Sequence, residues 1–503
     1  MVRDSAVFEA SEPTLSSTAS MVGARKWGLV IDGKITGALE GQEFENFSPV
    51  TGAMICQLPD ARERDVEAAV ASAAKAQVDW GRMPVKERSS IVRKLATVLR
   101  EHRKELAALD AIDVGNVYSF MLADVDAAAD TLEMMANFGL SLTGRTYPVA
   151  DTHLCYSRYE PYGVVARINA FNHPVLFAGQ KIGAPLVAGN ALIMKPSENA
   201  ALSALRMGEL FAEHLPPGLL NVIVGKGAEC PQAIVRHPAV KRIGFIGSSQ
   251  VGMAIQRDAA AVAVKNITLE LGGKNALIVA PDADFEAAAV GVVKGMNFVG
   301  WQSQSCMSTT RAIVPRSEQE RFASLVKAEV ESIVIGDPFE PTTRMGTLAS
   351  QAQFEKTRMY VDIAKSEGAE LVTGGEPHTG CGPGLYHKPT VFTNVRPESR
   401  LAREEVFGPV LSIIGYDTLD EAVQIANSVT FGLTGSVWSR DIGTAHRLAH
   451  ALQAGYVWIN DSSSQFEGVP FGGYKNSGIG HEDGLEELFS YAQLKALNVR
   501  IGG

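Results

Sequence analysis

Between Gly163 and Leu269, short β-branched runs alternate with stretches of helical periodicity, and this alternation constrains the fold more than any other feature. Gly163–Ile168, Ala191–Met194, Leu220–Val224, Arg242–Ile246 and Ile267–Leu269 read as strands, with helices such as Leu202–His214 between them. Strand and helix in turn over so long a stretch require a parallel sheet with helical crossovers. Ligands of such sheets bind beyond the carboxyl ends of the strands, so the turns there carry the functional residues.

A second alternation follows Gly273. Its expected strands are Ala276–Val279, Ala312–Val314, Val410–Tyr416, Gly435–Trp438 and Tyr456–Ile459, with helices at 317–334, 351–367, 419–426 and 442–451. Ahead of the first alternation, Gly28–Gly37 reads as a hairpin around Asp32-Gly33, and residues 66–80, 85–103, 104–114 and 124–139 read as helices. Residues 1–24 lack the apolar block of a secretory signal and read as a flexible tail. The apolar end, Leu485–Arg500, needs a partner surface, which docking of a terminal strand would supply.

With 503 residues the chain exceeds one ordinary core. Its net charge of −10 disfavours nucleic acid and anionic membranes as partners, and no apolar run reaches membrane-spanning length. The cysteines, Cys56, Cys155, Cys230, Cys306 and Cys381, are scattered. They form neither a disulfide framework nor a metal-ligand pattern, which points to the cytoplasm and to no metal site.

Cys306 differs from a core filler. Ser303, Gln304, Ser305, Ser308, Thr309 and Thr310 surround it with small polar groups near a helix-to-strand junction, which suits a nucleophile. Four stretches after expected strands could serve it. In I-N-A-F-N-H-P (168–174) the Asn172 amide could donate to an oxyanion together with the Cys306 backbone N–H, although Asn-His-Pro also suits a plain turn. In M-K-P-S-E (194–198) Glu198 could hold ribose hydroxyls and repel a 2′-phosphate, with Lys195 beside it; a helix start is the alternative. In G-F-I-G-S-S-Q-V-G (244–252) Gly247 ends a strand, Ser248 and Ser249 can cap a helix, and Gly252 permits close backbone approach, as at a pyrophosphate site. In T-L-E-L-G-G-K-N (268–275) Glu270 could act as a general base once shielded from water.

Together with E-E-V-F-G-P-V (404–410) and P-F-G-G-Y-K-N-S-G (470–478), these motifs stand in the order found in one family. From about Trp27 to its end the chain resembles the aldehyde dehydrogenase superfamily. The resemblance implies an α/β fold with a Rossmann-type cofactor domain (25–145 and 162–272) and a second, catalytic α/β domain (273–484). It also implies β segments at 146–161 and 485–503 that bridge subunits of a homodimer or homotetramer.

The implied chemistry is oxidation of an aldehyde to the acid. Cys306 attacks, Asn172 and the Cys306 amide hold the oxyanion, and Glu270 activates the water that hydrolyses a thioester. Lys195 and Glu198 are implied at the adenosine ribose, Gly247, Ser248 and Gly252 near the pyrophosphate, and Glu405 with Phe407 at the nicotinamide riboside. Glu198 favours NAD over NADP. By family position His173, Phe177, Gln180, Ser305, Met307, Gln465 and Phe466 approach the substrate, a mixture that suits an aromatic or medium-length polar aldehyde and shows no acidic cage. Ser303 stands where members commonly have glycine, Trp301 makes the loop bulkier, Phe171 replaces a common tryptophan and His481 a common arginine. The rival readings are a thiol esterase or acyl transferase using Cys306 without redox chemistry, and a non-catalytic member.

Overall fold

The structure, a computed structural model, describes residues 12–502. Its first sheet has eight strands in the order Lys34–Thr36, Leu29–Ile31, Leu220–Val222, Ala191–Lys195, Val164–Ile168, Val240–Ile246, Asn266–Glu270, Gly478–Ile479. The run from Leu220–Val222 to Asn266–Glu270 is parallel. Val164–Ile168 and Ala191–Lys195 are buried throughout, as strands covered on both faces must be.

From Val164–Ile168 the chain steps outward to Ala191–Lys195 and Leu220–Val222, then returns to place Val240–Ile246 on the other side. The reversal opens a crevice between the ends of Val164–Ile168 and Val240–Ile246, which is where a doubly wound sheet takes its ligand.

The second sheet has seven strands, ordered Glu370–Thr373, Thr390–Thr393, Val410–Tyr416, Arg311–Pro315, Ala276–Val279, Thr434–Trp438, Tyr456–Ile459. All neighbours are parallel except the first pair. One apolar cluster fills the first unit, and separate clusters cover the two faces of the second sheet. Ala492–Arg500 pairs antiparallel with His153–Pro161, which pairs in turn with Thr146–Ala150, so the apolar chain end forms part of a three-stranded sheet of its own.

The expectation of a flexible tail over residues 1–24 fails for its described part. Leu15–Ala24 is a helix whose first turn is capped by Thr14 Oγ1, which accepts the Ser17 amide at 3.2 Å. Burial of Val22 and the bond from Trp27 Nε1 to the Val22 carbonyl at 3.1 Å dock it on the core. Residues 1–11 lie outside the described residues. The Asp32-Gly33 hairpin turn has φ of 55° and 69°, the positive pair that a tight two-residue turn requires. Residues 197–199 form a turn and the helix starts only at Leu202, so Pro196–Glu198 do not make a first helical turn. No described helix is long and apolar enough to cross a membrane.

Candidate active site

A cavity of about 640 Å³ opens at the crevice of the first sheet and extends to the cysteine loop. Asn172, Glu270 and Cys306 line it together with Lys195, Glu198, Gly247 and Ser248, with Glu405 and Phe407 also on its wall. Strand ends deliver most of these groups: Lys195 closes Ala191–Lys195, Glu270 closes Asn266–Glu270, and Gly247 follows Val240–Ile246.

Cys306 sits in the turn before Arg311–Pro315. Asn275 fixes that turn from behind: its Nδ2 donates to the Cys306 carbonyl at 2.8 Å and the Ser308 carbonyl at 2.9 Å, while its Oδ1 accepts the Thr434 amide at 3.1 Å. The amides of Cys306 and Met307 face the sulfur, yet burial, then the Glu270 and Glu405 carboxyls, push the thiol up to about 12. In the preceding loop Asn297, Gln302 and Ser303 have φ of 52°, 52° and 60°. Ser303 thus adopts the left-handed conformation that glycine takes without strain. Its amide donates to the Asn297 carbonyl at 2.7 Å and its carbonyl accepts Ser308 Oγ at 3.2 Å, while its own buried hydroxyl finds no partner among the described residues.

Asn172 is buried, with its carbonyl held by Asn116 Nδ2 at 2.8 Å and its side-chain amide left unbonded among the described residues. Both carboxyl oxygens of Glu270 are buried and, among the described residues, unpaired. Burial raises its pKa well above the carboxylate range, and the nearby charge of Glu482 adds to the rise. Behind it Arg167 and Lys181 pair with Glu482, Lys181 at 2.9 Å. Burial alone would push Glu482 up; the two cations hold it far below the usual range.

Lys195 Nζ meets Glu198 Oε2 at 3.1 Å. Burial raises the Glu198 carboxyl, but Lys195 and the Gly227 amide outweigh burial and keep it low, hence charged. Ser248 caps Ser249–Ala260, accepting the Val251 amide at 3.3 Å. Gly252 does not line the cavity: a Cβ there would come within 2.8 Å of Leu271, so it is a close-packing position of helix on sheet. Glu405 accepts the Gly273 amide at 2.7 Å, and the Phe407 ring stands edge-on to Phe171 at 5.8 Å. Val235, Phe245, Val251 and Ile255 add apolar side chains to the cavity wall. A buried Asn169 side chain unpaired among the described residues, a charged Glu198 beside a lysine and a helix N-terminus together fit a dinucleotide.

Of the expected substrate residues, His173 is buried and Phe177 packs its ring 5.5 Å from it. The Gln180 amide is donated to Asp483. Ser305 and Met307 flank the nucleophile in its turn; the Ser305 carbonyl accepts the Ser308 amide at 3.0 Å and the Met307 carbonyl accepts Thr434 Oγ1 at 3.5 Å. Gln465 and Phe466 are not enclosed: both are exposed on a loop held by Lys294 Nζ to Ser464 Oγ at 2.8 Å. The residue pattern did not reveal Asn169, Gln353 and Lys356 in the cavity, the Lys181–Glu482 pair behind Glu270, or Asp124 beside His173. A carboxylate in the alanine-rich helix Tyr118–Phe138 carries no signal of its own.

A cysteine nucleophile, a carboxyl raised by burial and a dinucleotide cleft in one cavity define an oxidoreductase that works through a covalent thiol adduct. The chain belongs to the aldehyde dehydrogenase family, which it matches over residues 37–497. Members are NAD(P)-dependent oxidoreductases of the aldehyde group with a cysteine nucleophile, and so is this chain. It is 40% identical over 484 residues to the aldehyde dehydrogenase tropH of Talaromyces stipitatus, covering 94% of this chain and 93% of that one. It is similar to the NAD+ complex of an aldehyde dehydrogenase from Bacillus cereus, with TM-score 0.93, 35% identity and coverage of 98% and 100% of the two chains. It is also similar to a betaine aldehyde dehydrogenase from Staphylococcus aureus in complex with NAD+, with TM-score 0.94, 34% identity and coverage of 97% and 98%.

Proposed function

We propose that this chain oxidises an aromatic or medium-length polar aldehyde to its carboxylic acid with NAD, by a hydrolytic route. One observation carries the reading: Cys306, Asn172 and Glu270 share a cavity with Lys195, Glu198, Ser248, Glu405 and Phe407. Lys195 and Glu198 hold the adenosine ribose, and the charged Glu198 repels the 2′-phosphate of NADP. Gly247 and Ser248 bring the helix N-terminus to the pyrophosphate, and Glu405 with Phe407 positions the nicotinamide riboside. NAD, once bound, supplies the acceptor for the hydride that leaves the former aldehyde carbon.

Cys306 loses its thiol proton to solvent, Sγ adds to the carbonyl carbon, and the free amide of Asn172 with the backbone N–H of Cys306 takes the oxyanion charge. The adduct collapses to a thioester on Sγ. Glu270 then takes a proton from the water that attacks it; a carboxyl whose pKa is raised by burial is the stronger base for that step. The released thiol recovers a proton and the acid departs.

The division into a cofactor unit (25–145, 162–272) and a catalytic unit (273–484) belongs to this proposal. So does assembly as a homodimer or homotetramer through the sheet of residues 146–161 and 492–500, whose Tyr147, Val149, Leu154 and Leu494 are exposed. NADH formation with NAD or NADP across aliphatic, aromatic and amino aldehydes tests the reading. Wild-type turnover that survives Cys306→Ala would overturn it, as would ester hydrolysis with no aldehyde oxidation, which would favour the non-redox thiol route.

A further inference from the structure

Asn172 lines the cavity, whereas the next residue, His173, is not among its lining residues and meets a different environment. His173 Nδ1 lies 2.9 Å from Asp124 Oδ2, and Trp301 Nε1 donates to the same oxygen at 3.4 Å. The His173 ring stands 5.1 Å from that of Trp301 and 5.5 Å from that of Phe177, and Phe120 meets Trp301 edge-on at 5.3 Å. His173 and Trp301 are both chained to the catalytic centre, one beside Asn172 and the other in the loop that leads to Cys306.

The polar groups here are arranged to present one atom. Asp124 is 5% exposed and accepts from two ring N–H groups, so its charge is spoken for within the protein. Its bond to Nδ1 places the ring proton there and turns Nε2 outward with a lone pair. Among the described residues Nε2 has no hydrogen-bond partner, and it is not sealed from solvent as the buried unpaired atoms are. A carboxylate substrate gains no free cation from Lys181, which is bound by Glu482, Asp483 and Glu487, while the Arg344 guanidinium is stacked over the Phe120 ring, 5.1 Å from its centroid. A quaternary ammonium group is disfavoured as well, because Asp124 already has its donors. A lone-pair nitrogen flanked by aromatic rings suits a neutral O–H donor on a flat body.

The geometry points to His173, oriented by Asp124, as the group that selects a hydroxyl-bearing aromatic aldehyde, accepting the hydroxyl proton at Nε2 while Phe120, Phe177 and Trp301 pack the ring. This deepens the aldehyde-oxidising reading above and rests on it. His173 would touch the substrate; Asp124 acts through His173 and is a positioning residue.

The test compares kcat/KM for benzaldehyde and its ortho, meta and para hydroxy derivatives in wild type, His173→Ala, His173→Gln and Asp124→Asn. At least one hydroxy isomer is expected to exceed benzaldehyde by about fivefold or more, the scale of one neutral hydrogen bond. That ratio is expected to fall to about one in His173→Ala, whatever happens to the absolute rates. His173→Gln restores part of the ratio, since its amide oxygen can accept the same bond. Asp124→Asn lowers it through KM, because an amide that donates to Nδ1 moves the ring proton to Nε2. A wild type without preference for any hydroxy isomer, or an equal ratio in wild type and His173→Ala, overturns the proposal.

Calorimetric binding of the same aldehydes to Cys306→Ala protein gives a readout that needs no turnover. There, hydroxy isomers that bind no tighter than benzaldehyde overturn the proposal. Tighter binding that disappears in the Cys306→Ala, His173→Ala double variant supports it, even where a failure of every aldehyde to yield NADH has overturned the catalytic reading.

Discussion

The Gly273 amide donates to Glu405 Oε1 at 2.7 Å, so the turn that ends Glu270's strand also holds the carboxylate assigned to the nicotinamide end of the cleft. The contact leaves no room beside it: a Cβ on Gly272 would stand 2.1 Å from Glu405 Oε2. Glu405 lines the open cavity and its carboxylate ends a flexible side chain, so Gly272→Ala is expected to displace it. NADH binding, followed by its fluorescence, should weaken about tenfold or more while the protein stays folded, on the principle that small misplacements in a preorganised site are costly. An unchanged affinity would remove Glu405 from the proposed cofactor contacts.

Among the described residues Glu270 has no hydrogen-bond partner for either oxygen, as suits a group that acts on water. Glu270→Gln keeps its size and removes the base. Acylation of Cys306 should survive and hydrolysis should slow by about 10²- to 10⁴-fold. Stopped-flow mixing with NAD and aldehyde would then show a burst of NADH near one per site and a nearly flat steady state. Loss of the burst together with the steady state would place Glu270 before the thioester.

Strands with continuous apolar runs, such as Val164–Ile168 and Val410–Tyr416, were legible because burial on both faces demands that pattern. Glu43–Phe47 and Met54–Pro59 were not: they pair as a hairpin, but E-F-E-N-F alternates charge and ring so closely that the turn at its end dominates the reading. Glu370–Thr373 and Thr390–Thr393 pair through a register shift across a glycine-rich loop, which erases the period of two. In the site, residues next to strand ends could be read from the chain. Asp124 could not, since it reaches His173 from 49 positions away and only tertiary packing makes them neighbours. Gly252 misled for a related reason, because a glycine that lets a helix approach a sheet looks the same in sequence as one that lets a phosphate approach a backbone.

In the cofactor-free protein the Cys306 thiol is pushed up to about 12 by burial and then by Glu270 and Glu405. A raised thiol pKa keeps the group protonated and unreactive at neutral pH. Alkylation by iodoacetamide, followed at Cys306 by mass spectrometry, should therefore be slow and climb about tenfold per pH unit from about pH 7 to about pH 10 without levelling off. A plateau near pH 8 would show that the resting site already stabilises a thiolate.

Ser303 holds φ of 60° with a buried hydroxyl that is unpaired among the described residues. Left-handed backbone costs a side-chain-bearing residue roughly 1–2 kcal/mol, against roughly 0.5–1 kcal/mol lost to the greater freedom of glycine in the unfolded chain. Ser303→Gly should thus raise the thermal midpoint by roughly 1–3 °C. A lower midpoint would mean that the serine makes an interaction worth more than the strain it carries.

Lys274, in the turn after Gly273, is 1% exposed and its Nζ has no hydrogen-bond partner among the described residues. Burial, and then the charge of Arg311, lowers it to about 7. An unfolded lysine titrates near 10.4. Above about pH 10.4 neither state carries the proton and the residue costs nothing on this account. As pH falls from there to about 7, the unfolded chain binds a proton that the folded protein does not, so stability is lost at about 1.4 kcal/mol per pH unit. Below about pH 7 both states are protonated and the penalty is constant at its largest. Lys274→Met fills a similar volume without the charge, so it should be the more stable protein by about 2–4 kcal/mol at pH 7 and below, with the advantage shrinking towards pH 10. Thermal midpoints of the two proteins across that range check the sign as well as the size. An advantage that grows with pH, or a variant less stable at pH 7, would mean that Lys274 is held charged by Glu405 and Glu404, whose fields favour its proton.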